Sequence, residues 1–138
     1  MVVEQSSHIL VAEDNIVNQR VIQYMLTKMG YGVDLASDGE QAVLMCMSKS
    51  YACVLMDMMM PKMDGITAAQ KIRENESRLQ RRTPIIAVTA NADAVQERKC
   101  LEAGMDAFIS KPFTINQLRQ SILSTLGPRN EVIPLGLQ

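Results

Sequence analysis

The chain has 138 residues, 47% of them hydrophobic and 21% charged, which is the size and balance of one ordinary globular domain rather than a disordered or fibrous chain. Fourteen Lys and Arg against fifteen Asp and Glu leave a net charge of −1, so no broadly basic surface is available to hold nucleic acid. No apolar run approaches the roughly 18 residues of a membrane span, and Met1 to Leu10 lacks the basic start and long apolar stretch of a secretory signal.

Short apolar runs alternate with helix-length segments five times. His8 to Ala12 reads as a buried strand, followed by the turn-like Glu13-Asp14-Asn15. From Ile16 to Met29, the apolar residues Val17, Val21, Met25 and Met29 recur every four positions and predict the buried stripe of a helix that stops at Gly30. Gly32 to Ala36 predicts a second strand. Ser37-Asp38-Gly39 then caps a helix carrying Ala42, Val43, Cys46 and Met47. Ala52 to Met56 has no polar alternation, as expected of a strand covered on both faces.

Asp64 caps a third helix using Ile66, Ala69 and Ile72. Arg73 to Arg82 is charged and reads as a solvated helix end and loop, with Arg78, Arg81 and Arg82 exposed. Pro84 introduces a fourth strand, Ile85 to Val88, and a helix from about Ala92 to Ala103 ends at Gly104. Asp106 to Ile109 is the fifth strand. Thr114 caps a last helix with Ile115, Leu118, Ile122 and Leu126, closed by Gly127-Pro128; residues 128–138 are expected to be a tail or linker remnant after a domain spanning 1–127.

Cys46, Cys53 and Cys100 are odd in number and lie in apolar segments, which favours reduced, buried thiols of a cytoplasmic protein over a disulfide framework. The methionine run from Met56 to Met63 reads as core and loop packing rather than a copper site, and the single histidine, His8, makes a poor phosphocarrier at the start of a strand.

Strict strand–helix alternation predicts an α/β fold, a parallel sheet covered by helices on both faces, with the site at the carboxyl ends of the strands. There the first strand delivers Glu13 and Asp14, the third Asp57, the fourth Thr89, and the fifth is followed by Lys111-Pro112. If the strand order is 2-1-3-4-5, three carboxylates converge beside a hydroxyl and an ammonium. Such a cluster repels itself unless a cation offsets it, and a hard divalent ion, Mg2+ before Ca2+, suits oxygen ligands of this kind. A carboxylate beside a metal and a lysine can also act as a nucleophile toward a phosphoryl group.

The segments Glu13-Asp14-Asn15, Leu55 to Gly65, Thr89-Ala90-Asn91 and Lys111-Pro112-Phe113 together resemble the receiver domain of bacterial-type two-component response regulators, in order and at that family's spacings. Each motif alone is weak. The stretches Val11 to Gln19 and Cys100 to Asp106 look most like receivers fused to hybrid histidine kinases. The resemblance implies a flavodoxin-like, doubly wound sheet of five strands and five helices. It implies Asp57 as phosphoacceptor, with Glu13, Asp14 and the Met59 carbonyl helping to hold Mg2+, and Thr89 and Lys111 binding phosphoryl oxygens. Phe108 falls at the family's switch aromatic, where an ordinary core role is the competing reading. The implied donor is a phosphohistidine on a histidine kinase or histidine phosphotransfer domain, and the output is an unidentified protein target.

Two other classes compete. A turnover phosphatase with an aspartate nucleophile needs an acid two residues further on, where Met59 stands; the expectation is a regulatory phosphoacceptor, not an enzyme. A phosphorylation-independent, receiver-like binding module is the alternative, and it is expected to lack one of the acids or the lysine. A nucleotide-binding fold would need a glycine-rich loop after the first strand, and none is present.

Overall fold

The computed structural model describes residues 7–91 and 93–126. Five strands, β1 (His8–Ala12), β2 (Gly32–Ala36), β3 (Cys53–Asp57), β4 (Ile85–Thr89) and β5 (Ala107–Ser110), alternate with five helices, α1 (Ile16–Lys28), α2 (Gly39–Ser48), α3 (Gly65–Leu79), α4 (Ala94–Glu102) and α5 (Ile115–Leu126). All neighbouring strands are parallel and the order is β2-β1-β3-β4-β5, the doubly wound arrangement expected from the alternation. The expected stop at Gly127-Pro128 and the tail over 128–138 lie outside the described residues.

The period of two along each strand divides the core in two. Leu10, Ala12, Val54, Met56, Ile85 and Ala87 face α2, α3 and α4, where they meet Ala42, Cys46, Ala68, Ala69, Ile72 and Cys100. Ile9, Val11, Cys53, Leu55, Ile86 and Val88 face the opposite way, onto Ile22 and Leu26 of α1 and Leu118, Ile122 and Leu126 of α5. The central strands β3 and β4 are buried at every position, which is why neither alternates in polarity. All three cysteines are free and buried. Burial pushes the Cys46 thiol up to about 12, so it stays protonated.

The helix starts are built as their cap residues dictate. Asn15, Asp38, Asp64 and Asp93 each accept a hydrogen bond from the backbone N–H three residues on. Thr114 and Gln117 exchange a reciprocal pair at the start of α5. Gly30 ends the first helix segment at φ +94°, the left-handed region that glycine enters without strain.

Two expectations hold only in part. The buried stripe of α1 is Gln19, Ile22 and Leu26, whereas Val17 and Val21 are 66% and 47% exposed. A strict spacing of four residues advances about 40° beyond a full turn at each step, so a series of four wraps partly around the helix and cannot share one face. Residues 73–82 are a solvated helix end and loop as expected, with residues 74, 77–80 and 82 exposed, but three of the arginines are also tied down. Arg73 donates to the carbonyls of Gly104 (2.9 Å) and Thr83 (2.8 Å) and pairs with Glu76 (2.6 Å) and Asp106 (3.0 Å). Arg81 donates to the Cys46 carbonyl at the end of α2 (2.6 Å), and Arg82 pairs with Asp106 (2.8 Å). These arginines act as long donors tying four segments together at the amino edge of the sheet.

Candidate functional site

At the opposite, carboxyl edge, the parallel register sets the site. Ala12 pairs with Met56, and Asp57 with Val88, so the residues that follow β1 and the last residue of β3 emerge side by side. Glu13, Asp14 and Asp57 each offer a carboxylate oxygen within 4.8 Å of the others. Glu13 and Asp57 are buried and Asp14 is exposed, so the cluster opens to solvent through Asp14.

Lys111, following β5, closes the cluster. Its Nζ lies 3.3 Å from Glu13 Oε1 and 3.4 Å from Asp57 Oδ2. Burial alone would lower the lysine's pKa, but the charges of Asp57 and Glu13 and their hydrogen bonds outweigh it and raise the value, so the ammonium is firmly charged. One cation facing three carboxylates leaves an excess of negative charge. Hard oxygen donors with a partly solvated opening fit Mg2+, which keeps several of its own waters.

The backbone around Asp57 packs tightly and engages one oxygen of its carboxylate. Met59 N–H donates to Asp57 Oδ1 at 3.3 Å, and Gly65 N–H donates to the Met58 carbonyl at 3.1 Å. A Cβ at Gly65 would meet the Asp57 carbonyl at 2.5 Å, so only glycine lets the first turn of α3 pack this close to the acceptor strand. Met59 itself is 78% exposed at the mouth of the site, while Met56 and Met58 are buried, consistent with core and loop packing for the methionine run.

Thr89 ends β4 next to the β3 terminus and is buried. Its hydroxyl donates to the Asn91 carbonyl (3.1 Å) and accepts the Asn91 N–H (3.0 Å), so here it is engaged with its own loop. Phe108 pairs with Ala87 in the sheet and is half-buried, one side against the α2–α4 core and the other lining an open groove with Ser110, Gln117 and Ser121. Of the residues expected at the site, Glu13, Asp14, Asp57 and Lys111 are thus in direct proximity, Met59 and Thr89 border them, and Phe108 stands off along β5.

Sequence reasoning missed Gln19. This residue is buried on α1, and its Nε2 donates to the Glu13 carbonyl at 2.6 Å. The available signal was its helical phase, since positions 19, 22 and 26 share one face.

A family model for the response regulator receiver domain matches residues 9–123, and the chain belongs to this family. Hybrid signal transduction histidine kinase I of Dictyostelium discoideum is 42% identical over 119 residues, covering 83% of this chain and 7% of that kinase. The osmosensing histidine protein kinase SLN1 of Saccharomyces cerevisiae is 41% identical over 122 residues, covering 84% of this chain and 10% of that protein. Among solved structures, the receiver domain of a Pseudomonas aeruginosa sensor histidine kinase, with a magnesium ion in its active-site cleft, matches with TM-score 0.80 and 42% identity over 90% of this chain and all of that one. The receiver domain of yeast Ssk1, crystallised with the histidine phosphotransfer protein Ypd1, matches with TM-score 0.80 and 28% identity, over 90% of this chain and 91% of that one. The chain spans about 7 to 16% of the length of the first three curated relatives it matches.

Proposed function

We propose that this domain is a phosphorelay receiver that takes a phosphoryl group from a partner phosphohistidine onto Asp57. The observation that carries the reading is the meeting of Glu13, Asp14 and Asp57 within 4.8 Å, with the Lys111 ammonium on two of them. A carboxylate oxygen of Asp57 attacks phosphorus as the P–N bond to the donor imidazole breaks, and the imidazole leaves with a proton from solvent. Glu13, Asp14, Asp57 and the Met59 carbonyl would hold Mg2+, which when bound supplies charge neutralisation for the transferring oxygens. Lys111 binds one phosphoryl oxygen. Thr89 exchanges its bond to Asn91 for another, and this change at the β4 end is passed to Phe108 by packing alone, since Phe108 carries no hydroxyl.

The donor is a histidine kinase or histidine phosphotransfer domain, and its docking face is the exposed apolar side of α1. Ile16, Val17, Val21 and Tyr24 are each about half exposed or more. Val21 and Asn18 also line a hollow of about 170 Å³ whose far wall is Lys111, Pro112 and Phe113, so this face reaches the lysine that pairs with Asp57. Phosphoryl transfer to Asp57 and its slow hydrolysis are the domain's own chemistry; the output is a change in binding to a downstream protein. The buried reduced thiols are suited to the cytoplasm, where a phosphohistidine donor and Mg2+ would also be found.

The test is to incubate the protein with Mg2+ and acetyl phosphate and weigh it intact. Wild type is expected to gain one phosphoryl group and Asp57→Asn none. Absence of any gain in the wild type would leave the phosphorylation-independent binding module as the better account.

A further inference from the structure

The turn that carries Glu13 and Asp14 is closed from one side by the start of α1. Glu13 Oε2 accepts the Asn15 N–H at 3.1 Å, Asn15 Oδ1 accepts the Asn18 N–H at 2.9 Å, and Gln19 N–H donates to the Asn15 carbonyl at 2.9 Å. Two ties come from outside the turn: the Glu13 N–H donates to the Ala36 carbonyl of β2 at 3.0 Å, and the Gln19 side-chain amide donates to the Glu13 carbonyl at 2.6 Å. Gln19 is 7% exposed and stands where the helix otherwise presents Ile22 and Leu26 to the core. An aliphatic residue would fill that place with no polar group to satisfy, so a buried amide is expected only where its hydrogen bond does something packing cannot.

What the bond does follows from its position. A carbonyl held at residue 13 fixes the peptide plane between Glu13 and Asp14, and with it the direction in which the two carboxylates leave the chain. Their oxygens are within 4.8 Å of that of Asp57, a spacing that a small rotation of this peptide would spoil. Lys111 restrains Glu13 only through its side chain, and the Ala36 carbonyl holds the Glu13 N–H, on the peptide before Glu13, not the peptide that joins it to Asp14. Gln19 is therefore the one described side chain that grips the backbone of the acidic turn from outside it.

We propose that Gln19 is a positioning residue for divalent-metal binding: it holds the Glu13–Asp14 turn in the geometry that lets both acids and Asp57 share one cation. This rests on the Mg2+-dependent reading above. Groups that orient metal ligands from behind are generally worth about 10- to 100-fold in metal affinity, and one bond to a backbone carbonyl belongs at the lower end, about 10-fold.

The experiment titrates MgCl2 calorimetrically into wild type, Gln19→Leu and Gln19→Met, each checked for folding by circular dichroism and thermal unfolding in EDTA. Both variants keep the bulk of the side chain and remove the donor. The expected result is a Kd for Mg2+ raised about 10-fold in both. The rate of phosphorylation by acetyl phosphate should then fall at low Mg2+ and return to the wild-type value at saturating Mg2+. A residue that merely stabilises the fold would lower the unfolding temperature and leave the Mg2+ affinity of the folded protein untouched. A Kd within twofold of wild type, or a rate that stays low at saturating Mg2+, overturns the proposal. Failure of both variants to fold also counts against it, since Gln19 would then be a residue of the fold. If wild type itself takes up no Mg2+, the reading of the site falls and this proposal with it; where wild type does bind, loss of uptake in Asp14→Asn places the ion at this site, so that an unchanged Kd in the Gln19 variants counts against Gln19 alone.

Discussion

Lys111 Nζ lies 3.4 Å from Oδ2 of Asp57, the last residue of a strand that is not its sequence neighbour in the sheet, and it reaches there across the end of β4. The same nitrogen serves Glu13, so one ammonium is shared by two buried carboxylates. Lys111→Met removes the fixed cation from the place where phosphoryl charge accumulates. Phosphorylation by acetyl phosphate should slow about 100-fold, the usual scale for losing a preorganised electrostatic partner, while Mg2+ affinity is unchanged or tighter. Time courses by intact mass and a Mg2+ titration check both halves; a rate within threefold of wild type would remove Lys111 from the chemistry.

Val21 separates docking from chemistry. It is 47% exposed on α1 and lines the hollow beside Lys111, but it touches none of the acids. Val21→Glu should cut transfer from a phosphorylated histidine phosphotransfer protein at least 10-fold by placing a charge in a desolvated apolar contact. Labelling by acetyl phosphate, which needs no docking, should be unaltered. Equal losses with both donors would show that the substitution damages the site itself.

Met59 bears on how long the phosphoryl group persists. The side chain at this position stands exposed at the mouth, two residues from the acceptor, and a thioether cannot orient an attacking water. Met59→Asn, which supplies a donor and an acceptor there, is expected to speed dephosphorylation on the order of 10-fold. Decay of the phosphorylated protein after removal of the small-molecule donor reads this directly, and unchanged decay refutes it.

Arg73 holds the far end of the molecule. Its guanidinium pairs with buried Glu76 and exposed Asp106 and caps two carbonyls. Arg73→Met takes the cation from buried Glu76 and leaves it only the Thr83 N–H, and a cost of about 3 kcal/mol is expected. Urea unfolding measures it. A loss below about 1 kcal/mol would mean that the network is only a surface feature.

Asp34 gives a pH signature remote from the site. Its carboxyl is held below the usual carboxylate range, first by the hydrogen bond from Lys49 (2.9 Å) and further by that from Tyr51 (2.7 Å) and the charges of Lys49 and His8, against a smaller opposing effect of burial. A carboxyl with a lowered folded pKa stabilises the protein above its unfolded pKa and loses that contribution as pH falls through the folded value. The stability gap between wild type and Asp34→Asn should therefore be constant from pH 7 to about 5 and close below about pH 4. Because Lys49 is largely exposed, the gap should be under about 1 kcal/mol. A gap that widens in acid would contradict the assignment.

The strands and the acid–lysine cluster were legible because each is signalled locally: continuous apolar runs for buried parallel strands, and charged residues placed just past their carboxyl ends. Glu13, Asp14, Asp57 and Lys111 were all identified that way, and the register then brought them together. What escaped is what depends on direction. Val17 and Val21 were placed in the core stripe of α1 with Met25 and Met29, which do pack there, because all four are apolar and hydrophobicity alone does not give helical phase. The ties of Arg73 and Arg81 escaped because their partners, the Gly104 and Cys46 carbonyls, lie 31 and 35 positions away and are groups that every residue possesses, whereas Arg82 is exposed as expected and pairs with Asp106 at the surface.

The arginine network sits at the amino ends of the strands and the acids sit at the carboxyl ends, so the two are separated by the length of β4. Arg73 joins α3 to the turn before β5, through Gly104 and Asp106, and to the start of β4, through Thr83. A layer nailed down along one margin can swing only at the other. If Asp57 takes up a charge as proposed, the resulting rearrangement is expected to travel furthest in the loop beyond Thr89 and least at the arginine hinge-post. Partners that sense the event should therefore grip the handle side.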